Sequence, residues 1–176
     1  MRFLFALWLL ASPDFAEICP AVEDQSVRLA DIYASLETSA NEAEARALSD
    51  ELWSIWLNAP DPKSQRLLDL GMRKRSGFDF LGSRDTLDEL VEYCPEYAEG
   101  YNQRAFSNFL RRDYSAALVD LDVVLEIEPR HLGALTGKGL TLLGMGREDE
   151  AHDILREALK LNPWLAEREL IPGTDI

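Results

Sequence analysis

Residues 101–129 read YNQRAFSNFLRRDYSAALVDLDVVLEIEP, and residues 135–163 read LTGKGLTLLGMGREDEAHDILREALKLNP. Both stretches end in proline, and Pro95, Pro129 and Pro163 follow one another at intervals of 34 residues. Other positions recur in the same register: Gly71, Ala105 and Gly139; Ser83, Ala117 and Ala151; Leu87, Leu121 and Leu155. A fixed period of this length, with small residues where helices touch and proline where a helix stops, predicts stacked helical hairpins.

The repeated pattern resembles the tetratricopeptide repeat, whose motif reads W-x2-L-G-x2-Y…A-x3-F…P over 34 residues. The motif positions are filled in three successive units: Leu67, Leu70, Gly71, Lys74, Ser83, Leu87 and Pro95; Tyr101, Arg104, Ala105, Asn108, Ala117, Leu121 and Pro129; Leu135, Lys138, Gly139, Leu142, Ala151, Leu155 and Pro163. The polar residues Lys74, Arg104, Asn108 and Lys138 depart from it without shifting the period. The resemblance implies an all-α fold, an α-solenoid of stacked antiparallel hairpins that forms a superhelix.

The chain divides into a leader, a first hairpin, three repeats and a tail. Residues 1–16 are assigned to a signal peptide and residues 17–63 to an N-terminal segment with a degenerate helical hairpin. The repeats span 64–97, 98–131 and 132–165, and residues 166–176 hold the end of a capping helix and the tail. We expect the hairpins to stack in chain order, with the degenerate hairpin first.

The N-terminus is typical of a secretory signal. Arg2 supplies a positive start, an apolar run extends from Phe3 to Ala11, and Ala16 is the best small residue for cleavage. The run is too short to span a bilayer as a stable helix. The sequence therefore predicts a periplasmic or secreted protein with no stable membrane insertion after cleavage. A buried N-terminal helix and an uncleaved anchor stay open as alternatives.

The charge balance excludes some classes of partner. The chain carries 18 Lys and Arg against 32 Asp and Glu, for a formal net charge of −14. Nucleic acids and anionic membrane surfaces both bind proteins through clustered positive charge. We therefore expect no nucleic-acid partner.

Cys19 and Cys94 are the two cysteines of the chain. Both would remain after cleavage near Ala16, and an exported protein meets an oxidising compartment in which they could pair. Two unpaired thiols are the alternative. Neither cysteine has a CxxC neighbour, which argues against a redox-active pair.

The resemblance implies that the first helix of each repeat lines a concave groove that binds partner peptides. One stripe recurs on these helices with i, i+4, i+7 spacing, which places each trio on one helix face. Its members are Leu68, Met72 and Arg75; Asn102, Phe106 and Phe109; Thr136, Leu140 and Leu143. We take this stripe as the candidate partner groove, the alternative being packing between neighbouring hairpins. A clamp of basic residues for a terminal carboxylate is not predicted, because the stripe has Arg75 and Asn102 but lacks the further cations.

Charged residues outside the stripe are interpreted as structural. Arg73, Lys74 and Arg75 are expected at a helix C-terminus, where cations complement the helix dipole. The acids of the second helices are expected on a solvated outer face, among them Asp85, Asp88, Glu89, Asp120, Asp122, Glu150 and Asp153.

Catalysis finds little support in the sequence. His131 and His152 are the two histidines, and no HExxH, GxSxG or glycine-rich phosphate loop occurs. We therefore predict no catalytic residues, no cofactor and no metal. The predicted function is a non-enzymatic protein–protein interaction module that is exported to the cell envelope and binds a partner peptide or protein. A structural or regulatory subunit of a larger envelope complex is the alternative, and an enzyme is the least favoured class.

Overall fold

The computed structural model describes residues 18–173, and all regular structure in that range is helical. The helices are α1 (Ser26–Glu37), α2 (Glu42–Trp56), α3 (Pro62–Ser76), α4 (Phe80–Tyr93), α5 (Ala98–Leu110), α6 (Tyr114–Ile127), α7 (Leu132–Gly144) and α8 (Glu148–Leu161), followed by a short 3₁₀ helix (Ala166–Leu170). This confirms the predicted all-α solenoid of antiparallel hairpins. The predicted signal peptide lies outside the described residues.

The three repeats stack in chain order. Helices α3 and α4, α5 and α6, and α7 and α8 pair as hairpins, while α4 packs on α5 and α6 packs on α7. The first helices α3, α5 and α7 also contact one another in sequence, and we call them the first-helix row. One face of each repeat is thereby presented on a shared surface.

Small residues at the helix crossings allow this close packing. A Cβ atom added at Gly71 would lie 2.7 Å from Leu87 Cγ, and one added at Gly139 would lie 2.5 Å from Leu155 Cγ. Ala117 and Ala151 are completely buried at the equivalent contact positions of α6 and α8. The small residues of the repeat pattern are therefore required by the approach of the two helices.

The turns between paired helices share one backbone conformation. Phe78, Arg112 and Gly146 lie 34 residues apart and have φ values of 64°, 62° and 73°. In each turn the next residue donates its N–H to a carbonyl five residues earlier, as Arg147 does to Leu142 at 2.9 Å. This is the hydrogen-bond pattern of a Schellman motif, in which the left-handed position usually holds glycine.

Polar residues at motif positions bind second helices, either that of their own repeat or that of the repeat before it. Arg104 donates to Asp120 Oδ1 at 2.5 Å and to Asp88 Oδ1 at 2.8 Å. Lys138 donates to Asp122 at 2.6 Å, and Lys74 donates to Thr86 at 2.7 Å. The departures from the repeat motif are therefore paired with acids and hydroxyls, both within a hairpin and between neighbouring hairpins.

The predicted solvent exposure of Asp120 is wrong. Its side chain is only 4% exposed, because Arg104 covers it and Asn108 also donates to its carboxylate. Burial raises the pKa of Asp120 above its ordinary value, and the hydrogen bond from Arg104 opposes that rise.

We expect from the sequence that the N-terminal hairpin stacks ahead of the first repeat, but the structure does not place it there. Helices α1 and α2 pack instead against α7 and α8, in a core shared by Ile32, Tyr33, Leu36, Ala45, Leu52, Trp56, Leu132, Leu135 and Ala158. Polar contacts accompany this core: Tyr33 donates to the Arg130 carbonyl, and Asn162 donates to Ser49 Oγ at 3.2 Å. Burial of the apolar faces of α1 and α2 on the third repeat explains this arrangement.

The C-terminal element is shorter than expected. Where we expect the end of a capping helix, the structure has a 3₁₀ helix that begins at Ala166. The Asn162 side chain accepts a hydrogen bond from the Trp164 N–H at 2.9 Å, which forms a turn before that helix. Between residues 18 and 173, no helix has both the length and the apolar character needed to cross a membrane.

Candidate partner-binding groove

A cavity of about 180 Å³ opens between α5 and α7 on the first-helix row. We call it the groove pocket; its lining comprises Trp53, Asn102, Gln103, Ala105, Phe106, Phe109, Leu121, Gly133, Thr136, Gly137, Leu140 and Thr141. The structure therefore brings together the α5 trio of the predicted stripe with Thr136 and Leu140 of the α7 trio.

Phe106 forms the exposed rim of the groove pocket. Its side chain is 47% exposed. The Arg75 guanidinium lies 4.5 Å from the centre of the Phe106 ring and donates to the Gln103 carbonyl at 3.3 Å. Arg75 thus holds the Phe106 ring through a cation–π contact. Burial lowers the pKa of Arg75, and the Glu99 carboxylate opposes that effect.

The α3 end of the predicted stripe does not reach the groove pocket. Leu68 is completely buried in a core with Leu87 and Leu90, and Met72 packs partly against the same core. Leu68 therefore cannot contact a partner, and its assignment to the groove is wrong. The physical reason is that its side chain fills the space between α3 and α4. Leu143 is half-buried and lies outside the lining of the pocket.

A buried polar cluster that the repeat pattern does not predict lies beside the groove pocket. Glu99 is 1% exposed and accepts from Asn102 Nδ2 at 2.9 Å, from the Gln103 amide nitrogen and from His131 Nε2 at 3.1 Å. His131 Nδ1 accepts the Ala134 N–H at 3.1 Å, so the ring proton resides on Nε2 and points to Glu99. The signal in the sequence was Glu99 lying three and four residues before two amide side chains, on one helix face.

The N-terminal hairpin contributes one wall of the groove pocket. Trp53 of α2 is 37% exposed and lines the cavity. A Cβ atom added at Gly133 would lie 2.8 Å from the Trp53 ring, so the absence of a side chain at Gly133 lets the ring approach α7. The pocket is therefore built from two parts of the chain that the repeat pattern does not connect.

The structure links Cys19 and Cys94 by a disulfide, with their Cα atoms 5.2 Å apart. Cys94 follows the last residue of α4 and is 1% exposed. The link ties the segment before α1 to the first repeat.

The basic cluster of α3 lies where the sequence predicted. Arg73, Lys74 and Arg75 occupy the last turn of that helix, where they complement its dipole. No group of three or more His, Cys, Asp or Glu side chains within residues 18–173 is arranged to hold a metal ion.

Curated relatives of the chain carry tetratricopeptide names. A TPR repeat-containing protein of Rhizobium etli is 29% identical over 121 residues, which are 69% of this chain and 59% of that protein. Tetratricopeptide repeat protein 36 of Xenopus tropicalis is 29% identical over 139 residues, 77% of this chain and 67% of that protein. The chain thus spans less than two thirds of the Rhizobium relative. No family model matches the sequence.

Solved structures show the same fold. The TPR domain of Arabidopsis OM64 superposes with a TM-score of 0.59 at 20% identity, covering 61% of this chain and 88% of that domain. The TPR2B domain of yeast Sti1, solved in a complex with pHsp70, gives 0.56 at 19% identity, covering 65% and 87%. The chain is thus similar to proteins that carry tetratricopeptide names, and it shares the fold of solved tetratricopeptide domains.

Proposed function

We propose that the chain is a non-enzymatic interaction module that binds a partner peptide or protein segment at the groove pocket. The observation that carries the proposal is Phe106, an aromatic side chain left 47% exposed at the mouth of an open cavity. Phe109 and Leu140 extend this apolar surface into the cavity. Aromatic side chains that line a pocket of this kind are common anchors of protein interfaces.

The Sti1 domain with the same fold was solved with pHsp70 bound. This similarity of fold supports partner binding as the class of function. It does not identify the partner of this chain. Because the N-terminal hairpin adds Trp53 to the pocket wall, we infer a short bound segment that inserts one side chain.

We further propose that the protein is exported to the cell envelope. The apolar run after Arg2 supports this, as does the disulfide between Cys19 and Cys94, a bond that persists in oxidising compartments. Sequencing the N-terminus of protein purified from its native host tests export. A new N-terminus near residue 17 is the expected result, and full-length chain recovered from the cytosol would contradict it.

A second candidate function is that of a fixed subunit in a larger envelope complex. It is favoured by apolar residues that are exposed outside the lining of the groove pocket, at the turn after α3 and the start of α4. Phe78 is 82% exposed and Leu81 is 52% exposed there. A permanent neighbour would cover this surface, which we call the turn patch (Phe78, Leu81).

Partner capture by variants separates the two functions. Phe106→Ala and Phe109→Ser should each reduce retrieval of the partners that the wild type retains from an envelope extract, because losing an aromatic anchor commonly costs about 2 kcal/mol or more of binding. Phe78→Ala is the matched control on the turn patch and should retain them. The opposite pattern, with Phe78→Ala alone losing the partners in a fixed-ratio complex, would favour the subunit.

Folding of the variants must be measured alongside capture. Leu121→Ala removes a buried leucine of α6 and should cost about 2–5 kcal/mol of unfolding free energy. If Phe106→Ala unfolds as readily as Leu121→Ala, Phe106 is a core residue and the groove assignment fails.

A further inference from the structure

Arg75 is a half-buried cation beside the mouth of the groove pocket, and it has no carboxylate partner in the described part of the chain. Its guanidinium lies 4.5 Å from the centre of the Phe106 ring and donates, through Nη1, to the Gln103 carbonyl at 3.3 Å. No Asp or Glu within residues 18–173 forms an ion pair with it. Burial lowers the pKa of Arg75, because the charge has lost part of its hydration.

The other donors of Arg75 remain accessible. Its Nε and Nη2 make no hydrogen bond within residues 18–173, and neither atom is fully buried. Glu99 does not take them, because it is 1% exposed and its oxygens accept from Asn102, Gln103 and His131 instead. A guanidinium presents its donors in a planar fork that matches the two oxygens of a carboxylate. The exposed Phe106 ring is therefore flanked by a site for a carboxylate.

The charge of α3 favours a negatively charged segment at this position. Helix α3 contacts α5 and carries five Lys or Arg against one Asp. Helix α4, the other half of the same hairpin, carries one Arg against four Asp or Glu. Positive charge that is concentrated on one face of a protein with a net charge of −14 steers acidic partners to that face.

The cavity itself suits an apolar side chain. Its volume is about 180 Å³, and an engineered apolar cavity of about 150 Å³ binds benzene. The hydroxyl donors of its lining are already used, since Thr136 donates to the Leu132 carbonyl at 3.1 Å and Thr141 donates to the Gly137 carbonyl at 2.7 Å. A carboxylate is therefore paired at the mouth, by Arg75, and not inside the cavity.

We propose that the groove pocket binds an acidic segment of a partner protein, in which an Asp or Glu side chain pairs with Arg75 while a neighbouring apolar side chain enters the cavity. The proposal rests on the proposed function and specifies the chemistry of the bound segment. A chain terminus is not the source of the carboxylate. Asn102, the other polar residue of the stripe that could hold a terminus, is 7% exposed and donates to Glu99 at 2.9 Å.

The direct test uses blocked dipeptides as probes on the intact, oxidised protein. Acetyl-Glu-Phe-amide and acetyl-Phe-Glu-amide place the carboxylate on either side of the ring, and at least one should produce saturable shifts in the Trp53 side-chain resonance of a ¹⁵N-labelled sample. The dipeptide with Gln in place of Glu has the same shape and no charge. It should bind roughly 3- to 10-fold more weakly, the effect of one charged hydrogen-bonded pair at a partly exposed site. Equal affinity of the two dipeptides would overturn the role of Arg75.

Two variants of the same helix turn locate the carboxylate site. Arg75→Gln should remove the preference for the Glu dipeptide, so that the Glu and Gln forms bind equally. Arg73→Gln removes an exposed cation two residues away and should keep the preference. If Arg75 serves only to hold the Phe106 ring, Arg75→Gln weakens both dipeptides alike and the preference persists. That result would overturn the proposal, because the coupling between Arg75 and the carboxylate would be absent.

The outcomes distinguish this proposal from the function beneath it. No saturable shift with any dipeptide would overturn the proposal, while capture of partners by the wild type and its loss in Phe106→Ala would still uphold the binding module. Tighter binding of acetyl-Gln-Phe with a free carboxyl terminus than of the blocked Glu dipeptides would assign Arg75 to a chain terminus. A dimer seen by sedimentation that Arg75→Gln dissociates would make the occupant a segment of a second copy. Each of these last two results excludes an acidic side chain of a separate partner.

Discussion

The indole of Trp56 stacks on the imidazole of His131, with ring centres 3.9 Å apart and planes inclined by 18°. Trp56 ends α2, and His131 caps the start of α7. The Trp56 Nε1 also donates to Glu128 at 3.1 Å, and its carbonyl accepts from Tyr97 at 2.5 Å. A single residue, through its ring and its carbonyl, therefore joins the N-terminal hairpin to the turns that precede α5 and α7.

Trp56→Ala should lower the free energy of unfolding by about 3–5 kcal/mol, because a buried aromatic residue leaves a large cavity. Urea denaturation followed by circular dichroism measures this change. Hydrogen exchange should rise most in α1 and α2 and least in α3 and α4. Trp53→Ala is the matched control on the same helix and should cost less, since Trp53 is 37% exposed. Equal losses in the two variants would contradict the docking described for Trp56.

Gly139→Ala should destabilise the third repeat by about 1–3 kcal/mol through overpacking against Leu155. Gly77→Ala serves as the control, because its added Cβ would meet nothing closer than 3.4 Å. Chemical denaturation of the two proteins gives the comparison. Similar midpoints for Gly139→Ala and wild type would show that α7 and α8 are less closely packed than the structure has them.

Gly146→Ala should cost about 1 kcal/mol although no atom lies within 4 Å of the added Cβ. The cost arises from the backbone, since a φ of 73° is unfavourable for a residue with a side chain. The denaturation midpoint should fall, and Gly77→Ala again provides the reference. An unchanged midpoint would mean that this turn differs from the Schellman geometry.

Thiol labelling of unreduced, denatured protein should find neither Cys19 nor Cys94 reactive. Cys19→Ser should lower the free energy of unfolding by up to about 4–5 kcal/mol, because the bond closes a long loop in the unfolded chain. Two labelled thiols in protein from its native host would refute the pairing. Equal stability of wild type and Cys19→Ser under oxidising conditions would show that the bond does not constrain the unfolded chain.

Stability should fall as the pH drops from about 4 to about 2, in part through Asp61. A hydrogen bond from Tyr93 and backbone hydrogen bonds from Ser64 and Lys63 hold the pKa of Asp61 at about 2, below its ordinary value of 3.8. A carboxyl group whose pKa is lower in the folded state than in the unfolded state stabilises the fold at pH values above its unfolded pKa. That stabilisation is lost as the pH falls through the folded pKa.

Asp61→Asn tests this assignment because asparagine keeps a cap acceptor without the ionisation. Urea denaturation at several pH values should show a shallower loss for Asp61→Asn between pH 4 and 2 than for the wild type. Parallel curves for the two proteins would assign the acid sensitivity to other carboxylates.

The sequence pattern was sufficient for the close crossings of the two helices within a repeat. The period identified the close approach of Gly139 to Leu155, because local spacing along two paired helices decides which residues meet. The pattern failed for Leu68. Spacing of i, i+4, i+7 places residues on one helix face, but it does not tell whether that face lines the groove or packs against α4. It also failed for Asp120, whose burial depends on Arg104 reaching across the hairpin.

The position of the N-terminal hairpin could not be predicted from periodicity. Its contact with α7 and α8 depends on how surfaces from distant parts of the chain fit together. Ser49 and Asn162, which are hydrogen-bonded in this contact, are 113 residues apart. The same is true of the groove pocket, where Trp53 and Gly133 approach each other. The apolar character of α2 was evident in the sequence, but the surface that covers it was not.

Docking of α1 and α2 on α7 and α8 gives this repeat protein a fixed copy number. In an open stack each unit touches only its neighbours, so units can be duplicated or lost with little effect on the others. Here an inserted or deleted unit would move the third repeat, whose surface receives Trp56 and Tyr33, away from the N-terminal hairpin. Long-range contacts of this kind also slow folding. Evolution of this chain by repeat duplication would therefore have to remake the docking surface at the same time.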